Sequence, residues 1–464
     1  MKGVARHVSG WLGTAALFLG CAHRRPTPLR APPDFDGFVR VDQGRLMVRH
    51  RPYFFVGANL WYGANLGSRG AGGDRARLLR ELDHLRALGV TNLRILAGSE
   101  GPNTAPWRVA PALQPSLGVY DDAVVDGLDF LLAAMKERGL TAVVCLTNFW
   151  FWSGGMAQYL AWMGEDAIPI PYPLAVGGDW TTFARFAARF YESSDATAAF
   201  RRHVAFVVGR TNRYTGIPYR EDSTILAWEL ANEPRGGQDP RALGRWIHET
   251  AAFLKSLDGR HLVTTGSEGQ TNDPVKAGVD VLRDHASPFV DYVTFHLWAQ
   301  NWGWYDPELP DADGAGYRRA EEKARASIDE HVRLARMLGK PLVLEEFGFP
   351  RDGGSYDPAA TTTRRDAYYA FILRALTAAA QRGDPVAGSN VWAWAGEGVP
   401  AFSHGPWRPG QRWGGDPPHE PAGWYSIYGT DQTTGQVIRR AANEAKRLTT
   451  PLFAMFTWQG FQRA

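Results

Sequence analysis

Four glutamates fall where carboxylates are rare: Glu229 and Glu233 in AWELANEP (227–234), and Glu345 and Glu346 in PLVLEEFG (341–348). Each pair lies in or at the end of an apolar, β-type run, where a buried carboxylate is costly unless it is paired or has work to do. His296 in VDYVTFHLW, Arg94 in TNLRIL, Asn148 and Trp150 after AVVCLT, and Trp392 with Trp394 in GSNVWAW share that placement. Two carboxylates in a cleft walled by tryptophan suit glycoside hydrolysis: one carboxyl protonates the leaving oxygen, and the other, ionised, attacks the sugar or activates water. The pair works only if its surroundings push the two pKa values apart. Arg94 is placed to hold one carboxyl ionised, while aromatic walls push the other towards its neutral form.

Other chemistries lack their parts. There is no Gly-rich phosphate loop, no H-E-x-x-H and no G-x-S-x-G turn, which argues against phosphoryl transfer, zinc proteolysis and serine-esterase chemistry. A formal charge of +3 over 464 residues singles out neither nucleic acid nor an anionic surface as a partner. The 18 tryptophans are too many, and too often beside polar residues, for core packing alone, and their flat faces suit stacking on sugar rings.

Something must hold these residues together. Eight strand-like runs, at 53–59, 91–96, 142–147, 225–232, 261–266, 290–298, 341–348 and 388–394, alternate with segments of helical period. DRARLLRELDHLRALG and VDGLDFLLAAMKERG are two of these, each ending in glycine as helices often do. Near-continuous apolar strands separated by amphipathic helices predict a parallel sheet covered by helices, and eight such units predict a closed α/β (β/α)8 barrel. The extra length belongs to Trp-, Gly- and Pro-rich loops after strands three, six and eight. Barrel active sites lie at the C-terminal ends of the strands, where Glu233, Glu346, His296, Asn148, Trp150 and the tryptophans of the last strand all fall. Any one of them reads equally well as a cap or a satisfied core residue; their agreement across six strands carries the inference. Period-two alternation sets Glu229 on the same inward face as Glu233, one level lower, where a basic or hydroxyl partner is expected.

Residues 1–33 stand apart: Lys2 and Arg6, an apolar segment from Trp11 to Gly20, then Cys21 and a basic, Pro-rich stretch. This is the layout of an export signal, too short to span a membrane, and Gly20 before Cys21 resembles a lipoprotein cleavage site. The expectation is export, by secretion or with a lipid on Cys21 attaching the chain to the cell envelope. Residues 34–464 then form one catalytic domain. Cys145, in TAVVCLTN, reads as a core residue, so no disulfide or cysteine metal site is expected.

AWELANEP followed by Arg235, then TFHLW, LVLEEFG and NVWAW, in that order and spacing, resemble glycoside hydrolase family five, and within it the endo-β-1,4-mannanase subgroup. The resemblance runs over nearly the whole chain after the leader. It implies Glu233 as acid/base and Glu346 as nucleophile, with Glu345 a buried neighbour. It also implies Asn232 at the sugar's C2 substituent, Arg94 orienting the nucleophile, His296 beside the acid/base and Trp392 beneath the −1 sugar. Trp61, Asn148, Trp150, Arg235, Glu268, Trp302 and Trp394 complete the implied substrate contacts. Trp298 stands where many members carry a tyrosine that touches the nucleophile, and its indole can donate but not accept; Tyr305 could supply a hydroxyl instead. The resemblance implies retaining cleavage of internal β-1,4 bonds in mannan, glucomannan or galactomannan, with no metal, cofactor, nucleic acid or protein partner. A β-1,4-glucanase or transglycosylase would use the same pair, and a non-catalytic surface lipoprotein would bind polysaccharide through its Trp-rich face. The inserted loops, with Trp150, Trp152, Trp162, Trp302 and Trp304, predict a cleft that grips several sugars, or one that is walled off at one end.

Overall fold

In the computed structural model the described residues are 37–171, 179–309, 311, 313–400 and 407–449; the expected leader and Cys21 lie outside them. Eight parallel strands form the centre: β1 Phe55–Asn59, β2 Asn92–Leu96, β3 Thr141–Cys145 and β4 Ile225–Glu229, then β5 Leu262–Thr264, β6 Val293–Trp298, β7 Leu342–Gly348 and β8 Val386–Val391. Each falls on one of the runs expected from the sequence. β1 pairs with both β2 and β8, which curls the sheet round. The seam between β5 and β6 is bridged by Asp291 N donating to Val263 O (2.7 Å) and His296 N to Glu268 O (3.1 Å). Helices between the strands cover the outside. Asp74, Asp121 and Asp239 cap the starts of helices Arg75–Ala87, Asp122–Glu137 and Pro240–Leu257 with side-chain oxygens.

The two barrel ends differ chemically. At the N-terminal end Leu46, from a small antiparallel sheet, and Val39, just before it, pack with Phe55, Val143, Leu226, Leu262, Tyr292 and Val343 in an apolar plug. That plug leaves the opposite end to carry polar groups, as the barrel architecture predicts. Four strands, β3, β4, β5 and β8, stop earlier than their apolar runs. β4 ends at Glu229, so Glu233 lies past it, in a stretch tied back to the third loop by the Asn148–Asn232 bridge. β8 ends at Val391, before its tryptophans.

Candidate active site

The site is built upward from one arginine. Arg94, on β2, is buried, and all five of its N–H groups have partners: Nε and Nη2 clamp Glu229 (2.8 and 2.6 Å), Nη2 also reaches Asn232 Oδ1 (2.7 Å), and Nη1 reaches Asn59 Oδ1 (3.1 Å) and Glu346 Oε1. Glu229 is thus the inward-facing partner that alternation required, holding Arg94 from below. Glu345 is left over. Its Oε2 lies 4.0 Å from Arg94 Nε and has no hydrogen-bond partner, and its Oε1 accepts only the Tyr292 hydroxyl (3.3 Å). Burial first, then the Glu229 charge, push this carboxyl well above the ordinary range. A register shift against β6 between Leu344 and Glu346 lets two consecutive glutamates both face inward.

Glu233 has a left-handed backbone (φ 50°), an uncommon conformation for a non-glycine residue and a costly one that persists where the surroundings enforce it. Its Oε1 accepts from His296 Nδ1 (2.7 Å) and Trp298 Nε1 (3.3 Å), and its Oε2 from Trp150 Nε1. Trp298 therefore serves Glu233 rather than Glu346, unlike the tyrosine implied by the resemblance. His296 Nδ1 also lies 3.3 Å from Glu346 Oε2, placing it between the two carboxylates. One oxygen of each lies within 4.8 Å of the other. Burial raises both carboxyls. For Glu233, His296, Arg235 and Trp150 override burial and hold it down to about 2, whereas Glu346 stays well up because Arg94 does not outweigh burial together with Glu233 and Glu229.

Asn232 turns its oxygen to Arg94 and donates to Asn148 Oδ1 (3.1 Å), which also accepts from Trp150 N (3.0 Å). Asn148 is fully buried and lines no part of the cleft; it is a strut beneath Asn232 and Trp150, not the substrate contact expected. Arg235 and Glu268 lock each other in a two-point ion pair (2.5 and 2.8 Å), and the guanidinium lies 4.8 Å over the Trp150 ring. Both line the cleft with Trp150, Trp298, Trp302 and Trp392.

Three aromatic expectations are corrected. Trp394 faces away: β8 has ended at Val391, and the indole donates to Glu81 on helix Arg75–Ala87 and packs edge-on against His84. Trp61 lies behind the cleft, its indole donating to Gly415 O (2.7 Å) between Trp152 and Trp413. Tyr305 stacks on Phe349 outside the cleft and supplies no hydroxyl there.

The cleft itself measures about 990 Å³. Among the described residues its lining comes from the loops after β3 to β6 and after β8, with Glu346, and none from the loops after β1 and β2. Residues 413–426 cover that side. Trp424 donates to Gln300 (2.9 Å) and Tyr425 to Asn301, both in the loop after β6, while His419 meets Trp180 and Phe151 of the loop after β3. Glu420 projects from this loop into the cleft with Oε2 lacking a hydrogen-bond partner and its side chain 18% exposed. Burial, then Asp416, Glu346 and Glu233, raise its carboxyl well above the usual range. Sequence reasoning missed Glu420 and His419, which sit in a loop without periodicity; Trp and Pro enrichment there was the only signal.

A family model described as GH family 5 beta-mannosidase-like matches residues 36–450. The chain belongs to glycoside hydrolase family 5. It is 36% identical to a family-5 mannosidase structure from Rhizomucor miehei, with a TM-score of 0.81 over 89% of this chain and 99% of that one. A mannan endo-1,4-beta-mannosidase of Solanum lycopersicum is 30% identical over 80% of this chain and 84% of its own length. The endo-beta-1,4-mannanase of Thermotoga petrophila superposes with a TM-score of 0.62 at 25% identity, over 86% and 77% of the two chains. The family-5 barrel and the carboxylate pair at its C-terminal face make this chain a glycosidase of the mannosidase and mannanase type.

Proposed function

We propose that the protein cleaves β-1,4-mannosidic bonds with retention, releasing mannose from chain ends. The observation that carries the retaining part is the approach of Glu233 and Glu346, one oxygen of each within 4.8 Å, close to the separation of about 5–5.5 Å that lets a carboxylate attack directly and leaves no room for a water between. Glu346 attacks C1 while Glu233 gives its proton to the leaving oxygen. A mannosyl ester forms on Glu346 and the shortened chain leaves. Glu233 then takes a proton from water, whose oxygen attacks C1 and breaks the ester. The acid step needs the proton on Glu233 and the negative charge on Glu346, and His296 Nδ1 lies beside both. A sugar that excludes water above Glu233 favours its neutral form, while Arg94 stays on Glu346.

Mannose as the sugar is supported by the mannosidase and mannanase names of the relatives. Action at chain ends is supported by the wall at 413–426, which lines the cleft together with Trp392, the platform implied for the −1 sugar, and brings Glu420 into it. Internal cleavage is the second reading, favoured by the endo-acting relatives and by the open side formed by the loops after β3 to β6.

Mannopentaose, reduced at one end, separates the readings. The expected first products are mannose and a reduced tetraose, with the β-anomer of mannose appearing first by proton NMR. Mixed internal fragments would replace terminal release with endo action. An initial α-anomer would overturn double displacement, and turnover of β-glucan with mannan untouched would overturn the sugar.

A further inference from the structure

We infer that Asp416 is the positioning residue that closes this end wall and so makes the enzyme choose terminal over internal bonds. The inference rests on the chain-end reading above. Asp416 is buried and does not line the cleft. Its carboxylate gathers the far end of its own loop: Oδ1 accepts from Tyr425 N (2.6 Å), and Oδ2 from Gly423 N (2.7 Å) and Ser426 Oγ (2.5 Å). Ser426 Oγ in turn accepts from Gly415 N (3.1 Å), so residues 415 and 426 are drawn together. A compact loop closed at its base in this way holds its tip by its own contacts.

The tip is what faces the substrate. His419, Glu420 and Trp424 all lie between the two ends that Asp416 joins, and three prolines, Pro417, Pro418 and Pro421, restrict the backbone between them. Gly423 can take part only as glycine: its φ is 102°, and a Cβ there would meet Tyr356 O at 2.4 Å. Without the carboxylate, two backbone N–H groups and a hydroxyl lose their acceptor, and the base can open. An open base frees the far side of the −1 site, and a chain can then lie across the pair with sugars on both sides.

The test compares wild type with D416A, D416N and S426A on reduced mannopentaose and on an aryl β-mannoside, with melting temperatures alongside. D416A is expected to raise the ratio of internal to terminal cleavage by at least about tenfold, the range one specificity contact can command. Its kcat/KM on the aryl mannoside, which needs only the −1 site, falls. D416N, which keeps one acceptor, and S426A, which removes one of the three donors, shift the ratio less and in the same direction. S426A carries the test should D416A fail to fold. Lower melting temperatures with an unchanged product ratio in every folded variant would make Asp416 merely structural and overturn the inference. A wild type that already cleaves internally would instead overturn the chain-end reading, independently of how the variants behave.

Discussion

The floor of the cleft and its rim are built in different ways. On the floor, Arg94, Glu229, Glu346 and Asn59 stand on strands, and their spacing follows from barrel pairing. On the rim, Glu420, His419 and Trp424 hang from a loop shaped by one aspartate and a few side-chain contacts. The contrast suggests a division of labour: strand ends decide which reaction is run, and the loop decides which bond is presented to it.

Floor variants should break the chemistry itself. E346A removes the proposed nucleophile, and turnover of manno-oligosaccharides should fall by at least about 10⁴-fold, as when a reacting group is deleted elsewhere. E233A should cost about 10²- to 10⁴-fold on the same substrates. On a nitrophenyl mannoside, whose leaving group needs no proton, E233A should lose much less in the first step while E346A loses as much as before. Equal losses for the two variants on both substrates, measured by steady-state rates and by the burst of nitrophenol, would undo the assignment of roles.

This contrast also sets what could be read from sequence. All eight strands were legible, because apolar runs bounded by glycine and proline carry the signal of a parallel barrel. Glu233, Glu346 and His296 were legible because they fall at the ends of those runs, Arg94 as a charge inside one, and Asn232 through the family resemblance; the structure gathers them. Two kinds of residue escaped. Trp394 was misplaced because the last strand was expected to run to residue 394, past Val391, where it has already ended. Glu420 was missed because nothing periodic marks a loop whose shape depends on Asp416 and Ser426, ten residues apart. The inward turn of both Glu345 and Glu346 likewise depends on a register shift that only the pairing with β6 reveals.

Behind the floor, the outer helices are tied to the strand ends by polar contacts that pH can test. His203, on helix Ser194–Val208, is fully buried with Nε2 2.9 Å from Ala97 O, just beyond β2. Burial lowers its pKa from 6.5 to about 4, so it stays neutral in the fold while the unfolded chain takes up a proton below pH 6.5. Its contribution to stability is fully present above pH 6.5 and is lost as pH falls towards 4, at about 1.4 kcal/mol per pH unit. H203Q keeps an N–H for Ala97 O but cannot titrate. The stability of wild type relative to H203Q should therefore drop by about 3 kcal/mol between pH 6.5 and 4, read from urea unfolding at each pH. A difference that stays flat across that window would mean His203 is protonated in the fold or reaches water.

The smallest effects separate the two tryptophan environments. Trp394 serves the scaffold, so W394F should leave KM for manno-oligosaccharides unchanged while lowering stability by about 1–3 kcal/mol, because buried Glu81 loses a donor. Trp302 is its counterpart on the open side, lining the cleft and packed edge-on against Trp304 at 4.9 Å. If its cleft-facing ring stacks on a sugar beyond the cleaved bond, an interaction of about 0.5–1.5 kcal/mol, W302A should raise KM for mannopentaose by about two- to twelvefold. The aryl mannoside, which does not reach that far, should keep its KM, and melting temperature should barely change. If W302A weakened both substrates alike, Trp302 would belong to the wall around the −1 sugar. If neither changed, the open side would hold the departing chain by other groups, Arg235 and Glu268 first among them.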